Sequence, residues 1–202
     1  MIAQPERSKQ IPTEKELAAY NEAGHVIVGT LQGRNTEYTM LKQVGEEWGG
    51  ETKQDLDFRP FMIPELPPHA TYERIGYPVP TGGQFFMAVE NCILKYAGVV
   101  AEELLCEQRG VNSTEVRTGQ FDIVEAEGLA RSRFPEDQQA QQTMLHNAKS
   151  LAQKILRDLD CWQAVEVLAW KLIQGCELTQ EYKLDQESIH SIITQTNLFR
   201  RL

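Results

Sequence analysis

The sequence predicts a mainly α domain of about five or six helices with at most a small β element, and three observations carry that expectation. Apolar residues recur at spacings of three and four through most of the chain. Helix-start chemistry stands in front of several of those runs. Six of the nine prolines gather between residues 45 and 83, which leaves the remainder nearly free of helix breakers.

Residues 1–12 are polar and read as a flexible N-terminus; residues 13–202 read as one domain. Thr13 and Glu16 form a T-x-x-E capping box, so a helix should begin near Glu14. Leu17, Tyr20, Gly24, Ile27, Val28 and Leu31 then give it one apolar face, and Gly33 is a suitable stop. The segment 34–44 is rich in β-favouring residues and is expected to hold a short strand. Residues 45–83 contain six glycines beside their six prolines and read as a long loop insertion with room for a hairpin.

From Gln84 onward the pattern is helical to the end, with no strand expected. Residues 84–108 form a long, largely apolar helix, and FDIVEAEGLARSRF starts another near Phe121. The C-terminal helices occupy 136–196. One runs 136–159 with Met144, Leu145, Ala148, Leu151, Ile155 and Leu159 on its stripe, another 161–175, and a last 185–196 with Asp185 as its N-cap.

The chain has 20 Lys and Arg against 29 Asp and Glu, a formal charge of −9, so no basic stripe is available to neutralise phosphates and nucleic acid is not an expected partner. No apolar run is long enough to span a bilayer, and the N-terminus lacks a signal-peptide core, so a cytoplasmic protein is expected. Cys92, Cys106, Cys161 and Cys176 make no C-x-x-C pair and read as buried, reduced thiols.

One short stretch carries chemistry. Asn21-Glu22-Ala23-Gly24-His25 has the form of the H-E-x-x-H helix of zinc proteases, with asparagine in place of the first histidine. Residues i and i+4 share a helix face, so two histidines so placed hold one zinc ion while the glutamate serves its bound water as general base. Taken alone, the match is short, and a histidine on such a face is more often a packed core residue.

Longer matches point further. AYNEAGHVIVGTL resembles the A-Y-H-E-A-G-H-A-x-V segment of the FtsH-type ATP-dependent zinc metalloproteases. ILKYAGVVAEELLCEQ is similar to that family's L-x-G-G-R-A-A-E-E-L helix, and TGQFDIVEAEGLAR to its T-G-A-x-N-D-L-x-x-A-T-x-L-A-R. All three stand in the family's order, and with the helical tail the resemblance covers residues 13–195.

The resemblance implies a multi-helix FtsH-type peptidase domain with a zinc site. It places the general base at Glu22 and zinc ligands at His25 and Asp122, with the remaining ligand position occupied by Asn21. Phe121 stands where the family has asparagine, and the loop from Gly119 to Asp122 is one residue shorter. Apart from the resemblance, Asp122 would also suit a helix N-cap. Glu102 and Glu103 match the family's acidic pair and read as structural. His146 and His190 read as surface or core residues, and His69, in the proline-rich stretch, is a candidate replacement ligand.

An asparagine amide is a poor zinc ligand and shorter than imidazole, while a catalytic zinc normally keeps three protein ligands and an open position. The expected function is therefore a catalytically degenerate FtsH-like peptidase domain acting as a binding or regulatory module. The alternative is an active zinc metalloendopeptidase cleaving polypeptides. No G-x-x-x-x-G-K-[ST] loop occurs, and the stretch before the first helix is too short for an ATPase, so no ATP site is expected. Partners implied are a polypeptide substrate or FtsH-type protease subunits, with no transmembrane segment; the oligomeric state is left open.

Overall fold

The computed structural model describes residues 10–55, 83–116, 119–177, 179–196 and 198. His69 and most of the proline-rich stretch lie outside them. Among the described residues, six α-helices run Glu14–Leu31 (α1), Gly83–Gln108 (α2), Gln120–Arg133 (α3), Gln138–Leu156 (α4), Leu159–Gly175 (α5) and Gln186–Gln195 (α6). Three strands, Thr36–Val44 (β1), Glu47–Gln54 (β2) and Glu181–Asp185 (β3), form one antiparallel sheet in the order β2-β1-β3. A mainly helical domain with a small sheet is what the apolar periodicity predicts.

The first helix starts where its chemistry dictates. The Thr13 hydroxyl accepts from the Glu16 N–H at 3.2 Å, and the Glu16 carboxylate accepts from the Thr13 N–H at 2.8 Å. Both orphan donors are satisfied, a pairing worth about 0.5–2 kcal/mol. Helix α1 is buried almost all round from Asn21 to Thr30, because α2 and α5 pack along it and β2 crosses over it. At Gly24 the backbones of α1 and α2 come so close that a Cβ would lie 2.6 Å from the Ala97 carbonyl oxygen. Only glycine permits that approach.

Helix α2 is the other central element, packed against α1, α3 and α4. Cys92, Ala97, Val100, Ala101 and Cys106 are fully buried along it, and all four cysteines of the protein are buried, free thiols. No described helix is long and apolar enough to cross a membrane.

Two expectations are refined and one is corrected. The hairpin for which residues 45–83 left room forms at their start, where β2 pairs with β1 from Val44↔Glu47 to Thr36↔Gln54. The helices expected over 136–159 and 161–175 are α4 and α5, with the break at Arg157 and Asp158 rather than at residue 160: the chain turns at Arg157, and the Asp158 carboxylate caps α5 by accepting from the Asp160 N–H at 3.0 Å. Strand β3 stands where no strand was expected, with Leu184 buried and its neighbours exposed. Asp185 does cap the last helix, accepting from the Ser188 N–H at 2.9 Å.

Candidate functional site

Helices α1, α2 and α3 converge on one face of α1, and each brings a polar side chain to it. Asn21 and His25 stand one turn apart on α1, Glu102 and Lys95 come from α2, and Asp122 comes from the first turn of α3. Strand β2 closes the side where Glu22 lies.

Asp122 is the hub. Its Oδ2 lies 3.2 Å from His25 Nε2 and 3.2 Å from Asn21 Nδ2, while its Oδ1 faces Lys95 Nζ at 3.5 Å. It does not cap α3. The N-cap position belongs to Gly119, in the left-handed region at φ 43°, with no side-chain cap, so the carboxylate is free to turn toward α1.

His25 Nδ1 is 2.8 Å from the Leu94 carbonyl oxygen, so this nitrogen carries a proton and donates. Nε2 then faces an ionised carboxylate and needs a proton or another cation between them. Burial disfavours a charged imidazole, but the hydrogen bond and charge of Asp122, with Glu22 adding to them, outweigh it and raise the His25 pKa. The partner answers in kind: burial works against the Asp122 carboxylate, yet His25, Lys95 and Asn21 hold its pKa below the usual range. Each partner thus favours the charged form of the other.

Asn21 donates on two sides, to Glu102 Oε1 at 2.7 Å and to Asp122 Oδ2 at 3.2 Å. The orientation of its amide follows from Asp122, which when ionised only accepts. The amide lies flat on Gly98, where a Cβ would stand 2.6 Å from Nδ2 and 2.7 Å from Oδ1. Glu102 is buried, and burial pushes its carboxyl up to about 8 despite the Asn21 hydrogen bond. Glu103, one residue on, turns outward and pairs with Lys149 of α4 at 2.7 Å. The structural reading of the acidic pair therefore holds for Glu103, while Glu102 belongs to the site. Glu102 falls four residues after Gly98 and so shares its face of α2.

Glu22 accepts a hydrogen bond from the Thr52 hydroxyl at 2.5 Å. Because that proton goes to Glu22, the Thr39 hydroxyl, 2.8 Å from that of Thr52, donates in turn. Burial pushes the Glu22 carboxyl up. His146 and His190 lie on exposed faces of α4 and α6, outside the site.

No family model and no curated protein sequence matches the chain.

The donor set can be tested against zinc. The 3.2 Å between His25 Nε2 and Asp122 Oδ2 is a hydrogen-bond length, and it is also close to the edge of a zinc tetrahedron, about 3.3 Å for bonds of about 2.0–2.1 Å. Distance alone leaves both readings open, and the third corner decides between them. There Asn21 presents N–H groups, which donate, and one of them already occupies Asp122 Oδ2. Two protein ligands remain where a catalytic zinc keeps three. Among the described residues no group of three or more His, Cys, Asp or Glu side chains is arranged to hold a metal ion. By that count the residues present fall one ligand short of a catalytic zinc, and what they form is a buried network of hydrogen bonds with the His25–Asp122 and Lys95–Asp122 ion pairs.

Proposed function

We propose that this protein is a non-catalytic FtsH-like peptidase domain that serves as a binding or regulatory module. The observation that carries the reading is the Asn21 amide, which donates to Glu102 and Asp122 from the position where the resemblance calls for a metal-ligating nitrogen. Glu22 keeps the place of a general base, but a base needs a metal-activated water to deprotonate, and two ligands support that poorly.

A surface beside the site supports the binding role. Phe121 and Val124, neighbours on one face of α3, are 91% and 63% exposed, an unusual placement for apolar side chains of this size. They adjoin Asp122 and suit a polypeptide partner such as a subunit of an FtsH-type protease.

The test is to incubate the purified protein with zinc, then measure bound metal and the cleavage of unfolded casein. The expected outcome is neither stoichiometric metal nor turnover. Replacing Asn21→His is expected to create zinc binding from none, because it restores a third nitrogen or oxygen ligand. Stoichiometric zinc in the natural protein, with turnover that Glu22→Gln abolishes, overturns the proposal.

A further inference from the structure

Three helices are tied together at one side chain. Asn21 belongs to α1, its first acceptor Glu102 to α2, and its second acceptor Asp122 to α3. A metal ion held by ligands from α1 and α3 would couple those helices, and apo forms of such sites lose that coupling. In this chain the coupling is made of N–H···O bonds instead.

We propose that the Asn21 carboxamide is a metal-free clasp that fastens α2 and α3 to α1, so that the folded state does not depend on a metal ion and position 21 is a working structural residue. The proposal rests on the non-catalytic reading for the absence of a resident metal, and extends it to what holds the site shut.

The chemistry at the position is narrow. Two acceptors on two different helices need two donors on one planar group, which a primary amide supplies. An aspartate of the same length would bring no donor and would set an acceptor against the Asp122 carboxylate. A leucine would leave the buried Glu102 and Asp122 without those donors. A glutamine would carry its amide one methylene further, and the present amide already rests on Gly98 with no room for a Cβ. His25 completes the closure, since its two ring nitrogens join α2 at Leu94 and α3 at Asp122.

The experiment is thermal unfolding of the full chain in zinc and in chelator, for the natural protein and for Asn21→Ala, Asn21→Ser, Glu102→Gln, Glu102→Leu and the double variant Asn21→Ala with Glu102→Leu. The natural protein is expected to melt at the same temperature in both solutions. Asn21→Ala is expected to melt about 3–8 °C lower, from a buried acceptor left without its donor in a chain of this size. Asn21→Ser, which keeps one donor, should fall between, and Glu102→Gln, which keeps an acceptor oxygen, should stay near the natural value. The double variant should lose less than the sum of the two single losses, because the shared bond is removed only once.

An unchanged melting temperature for Asn21→Ala, or strict additivity in the double variant, overturns the clasp while leaving the non-catalytic reading in place. A melting temperature that rises with zinc and falls with chelator overturns the clasp, because a metal is then holding the helices. Should that zinc-loaded protein also cleave casein, the non-catalytic reading falls with it.

Discussion

At the scale of single residues, the side chain that starts α1 also joins it to the end of α2. Glu16 closes the capping box and is gripped by the Arg109 guanidinium, with Nη1 at 3.1 Å. Partial burial works to raise the Glu16 pKa, but Arg109 and the two Thr13 donors outweigh it, so the folded-state value lies below the ordinary 4.5. A carboxyl with a depressed folded pKa adds stability above its unfolded value and loses it as pH falls through the folded value. Arg109→Ala should therefore lower the melting temperature by about 1–3 °C at neutral pH, the scale of a partly screened ion pair, and the difference should shrink below about pH 4. Melting curves from pH 3 to pH 7 check this; a gap that persists at pH 3 would assign the loss to the packing of the arginine stem.

At the scale of elements, the site exists because two helices lie unusually close. Gly24 on α1 rests on the Ala97 carbonyl of α2, and Gly98 receives the Asn21 amide one residue further along. Gly24→Ala would drive a methyl group into the α2 backbone, which cannot yield as a flexible side chain would. Overpacking of this kind costs about 1–3 kcal/mol, despite the helix propensity gained from alanine. Chemical denaturation should register a lower midpoint with an unchanged slope.

Helix starts at Thr13 and Asp185 were legible in the sequence because capping is local chemistry between residues three apart. The break between α4 and α5 was legible only to within a few residues, since the apolar spacing of α4 runs on through Leu159 while the chain turns at Arg157. Strand β3 was hidden because five residues with two inward side chains give too little alternation, and its partner β1 is remote in sequence. At the site, three motifs in order were enough to associate His25 with Asp122, which the fold brings to 3.2 Å. The same motifs left Glu102 as a structural residue, because two adjacent glutamates on a helix do not reveal which one faces inward. Asp122 as a helix cap was wrong for a related reason: Gly119 supplies the turn, and the carboxylate finds better donors on α1 and α2.

At the scale of the whole molecule, stability should be concentrated where burial is most complete. Ala23, Val26, Ile27 and Val28 of α1 and Ala97, Val100 and Ala101 of α2 have no exposed surface, whereas α3 buries only Ala126 and Ala130 completely. Native-state hydrogen exchange should find the slowest amides in the middle of α1 and α2, and markedly faster ones in α3. Equal protection in α3 would indicate that the ties through Asp122 bind it into the same cooperative unit as the core.

Strand β1 has a neighbour on each side, β2 from the residues that follow it at once and β3 from near the end of the chain. Its backbone from Tyr38 to Lys42 thus waits for residues 181–185 before its second row of hydrogen bonds can close. During synthesis the hairpin leaves the ribosome with the free edge of β1 open as well as the outer edge of β2, and β1 stays open while α2 to α5 are made behind it. An open strand edge is a template for foreign strands. The strand that ends in the middle of the sheet is therefore most exposed before β3 is made, and its exposure ends when β3 arrives.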